Sequence, residues 1–306
     1  MRIGVVILVL AVLSRSAPAQ TPAAAIDVPQ GTIVHHDLAY VSGGHERQVL
    51  DLYVPLPGQR PSPLILMIHG GGWRLNDKAQ HPMVRWAIPV LSRAGFAVAS
   101  INHRYSSHAL FPAQIHDAKA ALRWIRRNRD AYGVDPDRIG VWGASSGGHL
   151  ASLLGTSAGV PAMDGETGGS SESVRVRAVV AWYPPIDFLE MASQRLPEGS
   201  IHDAPDSPES LLLGGPIQER RESALAASPL SYVSPDDAPF QVLHGDRDLQ
   251  VPFQQSELLR DALAAVGVPI DFHVVPGAGH GTIAAFQTPE VANLMVQFFD
   301  RHLRGN

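Results

Sequence analysis

Two adjacent serines lie between glycines at residues 143–148, where the sequence reads GASSGG. The apolar run RIGVWG leads into this stretch, and SGGHLASLLG, which has helical character, follows at once. The order predicts that Ser145 occupies a tight strand-to-helix turn, in the GxSxG pattern of a nucleophile elbow. There its hydroxyl would stand above the sheet, beside the N–H groups of a helix amino terminus. A glycine-rich turn with a capping serine would give the same pattern, so a nucleophile at Ser145 requires partners elsewhere in the chain.

A second glycine-rich segment follows the apolar run LILMI, where three glycines come directly after His69. Glycine lets a backbone approach a ligand closely with its N–H groups turned inward. A strand that runs into HGGG upstream of an elbow is typical of an oxyanion-binding loop. We therefore predict an oxyanion hole formed by the backbone N–H groups of Gly71, Gly72 and Ser146. The alternative is a plain flexible loop.

A serine hydroxyl becomes nucleophilic when a base accepts its proton and a carboxylate holds that base in the right tautomer. Carboxylates follow the apolar run FQVLHG at Asp246 and Asp248, and His280 lies in the loop GAGHG. The chain order serine, acid, histidine is one of the known arrangements of enzymes that use a serine nucleophile. We favour Asp248, which lies further into its turn, as the carboxylate that orients His280. Asp246 is more typical of a residue that forms the turn itself.

Most of the fourteen histidines are candidates for other roles. We predict that His149, on the helix after the elbow, is a packing residue and that His244, at a strand end, orients the adjacent loop. His35 and His36 are neighbours on a predicted strand, so their side chains point to opposite faces and do not readily share a metal ion. The chain contains no cysteine. We therefore predict no metal site, and no cofactor.

Short apolar runs alternate with longer segments of helical period along the chain, which predicts an α/β three-layer sandwich with a mostly parallel central sheet. The five middle runs are almost continuously apolar, as expected for strands buried on both faces. Residues 184–239 are rich in Pro, Ser, Gly and Asp, and we interpret them as a cap-like excursion from the domain. The predicted helices span residues 81–93, 112–129, 254–266 and 289–303.

Composition limits the classes of partner. The 306 residues are 45% hydrophobic and 17% charged, with a net charge of −5 and no basic block, so nucleic acid is not an expected partner. Residues 1–19 combine a basic start, an apolar run and an Ala-Pro-Ala step, which predicts a signal peptide cleaved near Ala19 and export to the periplasm or medium. A membrane anchor is the alternative, but the apolar run is shorter than the ~20 residues that a spanning helix needs. Residues 20–31 are predicted to be a flexible lead-in and residues 32–306 the domain.

The segments HGGGW, GASSGGHL, HGDRDLQVP and GAGHG together resemble the α/β-hydrolase serine esterases. The resemblance spans Val49 to Leu303 and is strongest to the bacterial feruloyl/acetylxylan-esterase-like (BD-FAE-type) branch, which is related to the hormone-sensitive-lipase group. The elbow departs from the GDSAG of that group at Ala144 and Ser146. Relatives tend to have NYRY or DYRL where this chain has NHRY at residues 102–105, and the sequence offers no interpretation of this difference.

The resemblance implies that the protein hydrolyses carboxylic esters through an acyl-enzyme, with short acyl, or acetyl and feruloyl carbohydrate, esters as substrates. Amide, peptide or formamide hydrolysis by the same three residues is the alternative within enzymes. A noncatalytic binding module is a third possibility, disfavoured because Ser145, Asp248 and His280 are all present. Candidates for lining the acyl pocket are Tyr183, Pro184, Asp187 and Phe188.

Overall fold

A computed structural model describes residues 25–55, 61–165, 169 and 172–305. Among these residues, eight strands form one sheet in the order β1-β2-β4-β3-β5-β6-β7-β8, in which β1–β2 and β2–β4 pair antiparallel and the remaining pairs are parallel. The strands are β1 Ile33–Ala39, β2 Val49–Val54, β3 Ser62–Ile68, β4 Ala97–Ile101, β5 Val134–Ala144, β6 Ala178–Trp182, β7 Phe240–Gly245 and β8 Ile270–Val275.

The five predicted middle runs form the centre of this sheet. Strands β3, β4, β6 and β7 are buried along their whole length, because helices cover both faces and leave no position for a polar, solvent-facing side chain. Strand β5 begins at Val134, four residues before the apolar run that predicted it. Val134 pairs with Ser62, and the register shifts before Ile139 pairs with Leu64.

Helices pack on both faces of the sheet, which confirms the predicted three-layer sandwich. The helices in the main layers are α1 Pro82–Arg93, α2 Ala113–Arg127, α4 Ser146–Thr156, α9 Gln254–Ala265 and α11 Pro289–Leu303. One core contains apolar side chains of α2, α4 and α9, and the other contains those of α1 and α11. The short helix α3 Arg129–Tyr132 lies between α2 and β5, and the short helix α5 Pro161–Asp164 follows α4.

The excursion between β6 and β7 is built from short helices. These are α6 Met191–Gln194, α7 Pro208–Leu213 and α8 Arg221–Ala227, with 3₁₀ turns at Ile217–Glu219 and Pro229–Tyr232. Two segments of this region have helical character in the sequence, SPESLLLGG and ERRESALAASPLSYV, and both contain helix. The remaining short helix, α10 Ile283–Phe286, follows β8.

The predicted signal peptide, residues 1–19, lies outside the described residues. Residues 25–31 contain neither helix nor strand, although Ile26 and Val28 pack, partly buried, against the core under α1 and α11. Within the described part of the chain, no helix has both the length and the apolar character to cross a membrane.

Candidate active site

Ser145 lies at the turn between the end of β5 and the start of α4, with φ 56° and ψ −124°. A non-glycine residue with positive φ is strained, and such residues cluster at functional sites. The flanking glycines make the turn possible: a Cβ at Gly143 would lie 2.1 Å from Gly147 O, and one at Gly147 would lie 2.1 Å from Ile68 O. Because both obstacles are backbone, only glycine fits at these positions, and the sequence forms the predicted elbow.

The structure brings together the three side chains predicted to do chemistry. His280 Nε2 lies 2.8 Å from Ser145 Oγ, and His280 Nδ1 lies 2.7 Å from Asp248 Oδ2. Asp246 is not part of this chain of hydrogen bonds, because its Oδ1 accepts from the backbone N–H of Gly277 at 2.7 Å. The two aspartates therefore have different contacts, since Asp248 pairs with His280 and Asp246 bonds within the turn.

The carboxylate of Asp248 accepts four hydrogen bonds. Oδ1 accepts from the backbone N–H groups of Gln250 and Val251, at 2.7 and 2.9 Å, and Oδ2 accepts from His280 and from His244 Nε2, at 3.2 Å. Burial raises the pKa of Asp248, but the hydrogen bonds from His244 and His280 outweigh burial and hold the pKa well below its usual range. The side chain is consequently an ionised acceptor with a fixed orientation.

His244 is itself fixed by the residues around it. Its Nδ1 lies 2.7 Å from Ser256 Oγ, and its Nε2 also lies 3.1 Å from the carbonyl oxygen of Val251. Since Nε2 donates to a carboxylate and a carbonyl, Nδ1 is left to accept from the serine hydroxyl. These contacts agree with the prediction that His244 orients the loop that carries Asp248.

Hydrogen bonds to the carbonyl of Gly70 set the direction of the first peptide in the HGGG loop. Gly70 O accepts from His69 Nδ1 at 2.8 Å and from Asn76 Nδ2 at 3.3 Å. In a trans peptide the N–H points opposite to the C=O. The N–H of Gly71 is therefore directed away from His69 and Asn76.

The next peptide is fixed in the same way. Gly71 O accepts from the backbone N–H groups of Arg74 and Leu75, at 3.2 and 3.0 Å, which turns the N–H of Gly72 away from them. The N–H of Ser146, in the first turn of α4, has no acceptor one turn back in the helix. The predicted oxyanion residues, Gly71, Gly72 and Ser146, line one cavity together with Ser145 and His280.

A pair of buried histidines supports the HGGG loop from behind. The rings of His69 and His103 stack with centroids 4.8 Å apart. Burial lowers the pKa of His69 well below its ordinary value and that of His103 to about 4, so both are neutral at pH 7. Arg104, the next residue, forms a salt bridge with buried Asp117 at 2.8 Å. The NHRY segment that the sequence left uninterpreted thus packs against the loop.

His149 connects the same loop to the excursion. Its Nδ1 accepts from Trp73 Nε1 at 3.2 Å, and its Nε2 donates to the carbonyl oxygen of Ala227, in α8, at 2.6 Å. Burial lowers the pKa of His149 to about 4. The predicted packing residue is buried as expected, and it also joins two walls of the site through its ring nitrogens.

The cavity above Ser145 has a volume of about 750 Å³ and lies between the elbow, the HGGG loop and the excursion. Of the four residues predicted to line an acyl pocket, only Tyr183 does so, with its ring edge-to-face against His280 at 4.7 Å. Pro184, Asp187 and Phe188 do not line it. Phe188, for example, is buried against Trp73 and His149.

Sequence reasoning missed several polar residues on the cavity wall, among them His81, His202 and Glu209. His81 precedes α1, and burial together with the nearby charge of His280 lowers its pKa to about 4. His202 and Glu209 lie in the excursion, where no periodic pattern marked them. The only sequence signal that could have pointed to His81 is its position directly before Pro82, at the start of a predicted helix. Over the residues described, no group of three or more His, Asp or Glu side chains could hold a metal ion.

Known proteins that resemble this chain are esterases. It is 33% identical to esterase LipQ of Mycobacterium tuberculosis over 80% of its own length and 56% of that protein, and 31% identical to esterase LipC of the same organism over 87% and 64%. The chain thus spans between about half and two thirds of these curated relatives.

Solved structures give the same picture. A truncated carbohydrate esterase from gut microbiota superposes with a TM-score of 0.81 at 33% identity, covering 89% of this chain and 96% of that one. An acetyl ester-xyloside bifunctional hydrolase from Caldicellulosiruptor lactoaceticus superposes with a TM-score of 0.66 at 30% identity, covering 82% and 88%.

A mostly parallel eight-stranded sheet between two helical layers, with a strand-to-helix elbow at Ser145, defines an α/β-hydrolase. Within that class, the BD-FAE family model matches residues 50–263, and the chain belongs to this family.

Proposed function

We propose that the protein is a serine hydrolase that cleaves carboxylic esters, with short acyl, or acetyl and feruloyl carbohydrate, esters as substrates. The observation that carries this proposal is the unbroken chain of hydrogen bonds from Ser145 Oγ through His280 to Asp248. Membership of the BD-FAE family and the carbohydrate esterase among its structural neighbours support the choice of esters.

In the first half of the reaction, Ser145 Oγ attacks the ester carbonyl carbon while His280 Nε2 takes the hydroxyl proton. Asp248 stabilises the imidazolium that forms, and the N–H groups of Gly71, Gly72 and Ser146 bind the oxyanion. The imidazolium then gives its proton to the leaving alkoxide as the C–O bond breaks. This leaves an acyl group on Ser145 and releases the alcohol.

In the second half, water replaces the alcohol. His280 takes a proton from water as its oxygen attacks the acyl carbonyl, and the same N–H groups bind the second oxyanion. Collapse of this intermediate returns the proton to Ser145 Oγ and releases the acid. The neutral rings of His69 and His149 help to hold the HGGGW segment in place, because His69 donates to the carbonyl oxygen of Gly70 and His149 accepts from Trp73.

The test is hydrolysis of p-nitrophenyl acetate, p-nitrophenyl octanoate, methyl ferulate and acetylated xylan by the purified protein, with Ser145→Ala as control. We expect turnover of the acetyl or feruloyl substrates and a loss of about 10³-fold or more in the variant. If folded Ser145→Ala keeps most of the activity, the nucleophile is wrong.

The same assays separate the alternatives. Turnover of anilides or formamides in preference to every ester would indicate an amide hydrolase that uses the same residues. A noncatalytic binding module would fail to react with a fluorophosphonate probe, whereas an activated Ser145 should be labelled covalently, and Ser145→Ala should not.

We also propose that the protein is exported and that residues 1–19 are removed. The basic start, the apolar run and the Ala17-Pro18-Ala19 step support this proposal. Amino-terminal sequencing of protein recovered from the periplasm or medium should begin near Gln20. Full-length protein confined to the cytoplasm would contradict it.

A further inference from the structure

The excursion carries a polar cluster that the chemistry of Ser145 does not use. His202 and Glu209 are only 2% and 5% exposed, and His202 Nδ1 donates to Glu209 Oε1 at 3.2 Å. We call residues 202–210, which contain both, the cap ledge. Ser207 Oγ donates to the carbonyl oxygen of His202 at 2.5 Å and accepts from the backbone N–H of Ser210 at 3.0 Å. The ledge therefore holds its two buried polar side chains through its own hydrogen bonds.

The cap ledge forms one wall of the cavity that contains Ser145, and both His202 and Glu209 line that cavity. It also touches the HGGG loop: a Cβ at Gly72 would lie 3.0 Å from Pro208 Cβ. The pair is therefore part of the wall next to the position where an ester carbonyl would be held. A group bound at the pair would belong to the same substrate as the ester.

Each member of the pair has one buried polar atom without a partner among the described residues, His202 Nε2 and Glu209 Oε2. Buried polar atoms in native proteins are almost always hydrogen-bonded, because an unpartnered one carries a desolvation cost. Two such atoms on side chains that are bonded to each other, in the wall of a substrate cavity, indicate a ligand that supplies the missing hydrogen bonds.

The chemistry of the two atoms defines that ligand. In the tautomer that donates from Nδ1 to Glu209, His202 presents Nε2 as an acceptor, and Glu209 Oε2 is an acceptor as well. Two neighbouring acceptors match two neighbouring O–H donors, which a pair of adjacent hydroxyls on a sugar ring provides. The exposed side chains of Leu75, Ile201 and Ile283, also on the cavity wall, suit the apolar C–H face of such a ring.

We propose that the His202–Glu209 pair is a binding subsite for free hydroxyls of a carbohydrate whose nearby hydroxyl carries the acyl group. This inference rests on the proposed ester hydrolysis by Ser145. It assigns to the cap ledge the selection of sugar esters over simple alkyl and aryl esters, which have no hydroxyls to donate.

The first test compares a monoacetylated methyl β-xyloside with p-nitrophenyl acetate in the wild type, in Glu209→Gln and in Glu209→Met. We expect the ratio of kcat/KM for the xyloside to kcat/KM for the aryl ester to fall about 10-fold or more in both variants, because Gln removes the charge from the acceptor and Met removes the acceptor itself. The matched control is Glu219→Gln, the same change at an exposed residue of the excursion outside the cavity. Its ratio should remain that of the wild type.

The proposal is overturned if Glu209→Gln leaves the ratio unchanged, or if Glu219→Gln lowers it equally. A second measurement uses only the wild type: binding of methyl β-xyloside by calorimetry, against the analogue that lacks its ring hydroxyls. At least 10-fold weaker binding of the analogue supports the subsite, and equal binding of the two compounds refutes it. Because calorimetry needs no turnover, absent hydrolysis of every ester would refute the proposed function and still leave the subsite testable.

Discussion

His244 Nε2 lies 3.2 Å from Asp248 Oδ2, the same carboxylate oxygen that accepts from His280 Nδ1 at 2.7 Å. Two histidines therefore share one oxygen, one facing Ser145 and the other buried behind the carboxylate. A carboxylate held from both sides cannot rotate without losing a hydrogen bond to one of them. In the proposed reaction, His244 therefore acts through the orientation of Asp248.

Replacement of His244 by Leu should lower kcat about 10-fold and change KM less, because the lost hydrogen bond positions the carboxylate and does not touch substrate. Ser256→Ala, which keeps the bond to Asp248, should have a smaller effect. Unchanged kinetics in folded His244→Leu would refute this positioning role.

The two neighbouring aspartates should behave differently when each is changed to Asn. Asp248→Asn should lower kcat on the order of 10³–10⁴-fold, because an amide can present a donor to His280 and favour the wrong tautomer. Asp246→Asn should keep kcat near the wild-type value, because its contact is with the backbone of Gly277. Steady-state kinetics on p-nitrophenyl acetate make the comparison. The opposite pattern would move the acid to Asp246.

The elbow should not tolerate a methyl group at Gly143. A Cβ there would lie 2.1 Å from Gly147 O, a backbone atom that cannot move without displacing the start of α4. We expect Gly143→Ala to yield insoluble protein or a much lower Tm. The control is Gly267→Ala, where nothing lies within 4 Å of the added Cβ and the cost is only that of φ +80°, about 1–2 kcal/mol. Thermal unfolding gives the Tm of both variants. A smaller loss of Tm in Gly143→Ala than in Gly267→Ala would contradict the elbow geometry.

The buried neutral histidines predict a loss of stability in acid. Burial lowers the pKa of His103 and His149 to about 4, whereas an unfolded histidine titrates near 6.5. Between these values the unfolded state binds protons that the folded state does not. The free energy of unfolding should therefore fall as the pH drops from about 6.5 to about 4, by at most about 1.4 kcal/mol per pH unit for each group.

Chemical denaturation at several pH values measures this slope. His103→Gln removes one titrating group and should make the slope shallower. A stability that stays constant between pH 6.5 and 4.5 would mean that these histidines are not held neutral in the folded protein.

Much of this architecture follows from local pattern. The continuous apolar runs of β3 and β7, and the helical period of α2 and α11, depend on which side chains can be buried on a sheet and on a helix face, and both are local properties of the sequence. The elbow was predictable for the same reason, since GASSGG between a strand and a helix leaves few conformations open at Ser145. The order of Asp248 and His280 after it completed the prediction.

Other features depend on residues that meet only in the folded chain. The second hydrogen bond to Asp248 Oδ2, the stack of His69 on His103 and the bridge from Trp73 through His149 to α8 join segments that lie far apart in sequence or have no periodic pattern. The His202–Glu209 pair lies in an irregular excursion, where backbone hydrogen bonds made by individual side chains, such as Ser207, decide the path of the chain. The sequence determined the candidate reacting groups and the sheet that carries them. Tertiary packing decided which buried polar side chains hold the site in place. Only packing removes water from these side chains, and each of them then depends on a particular hydrogen-bond partner.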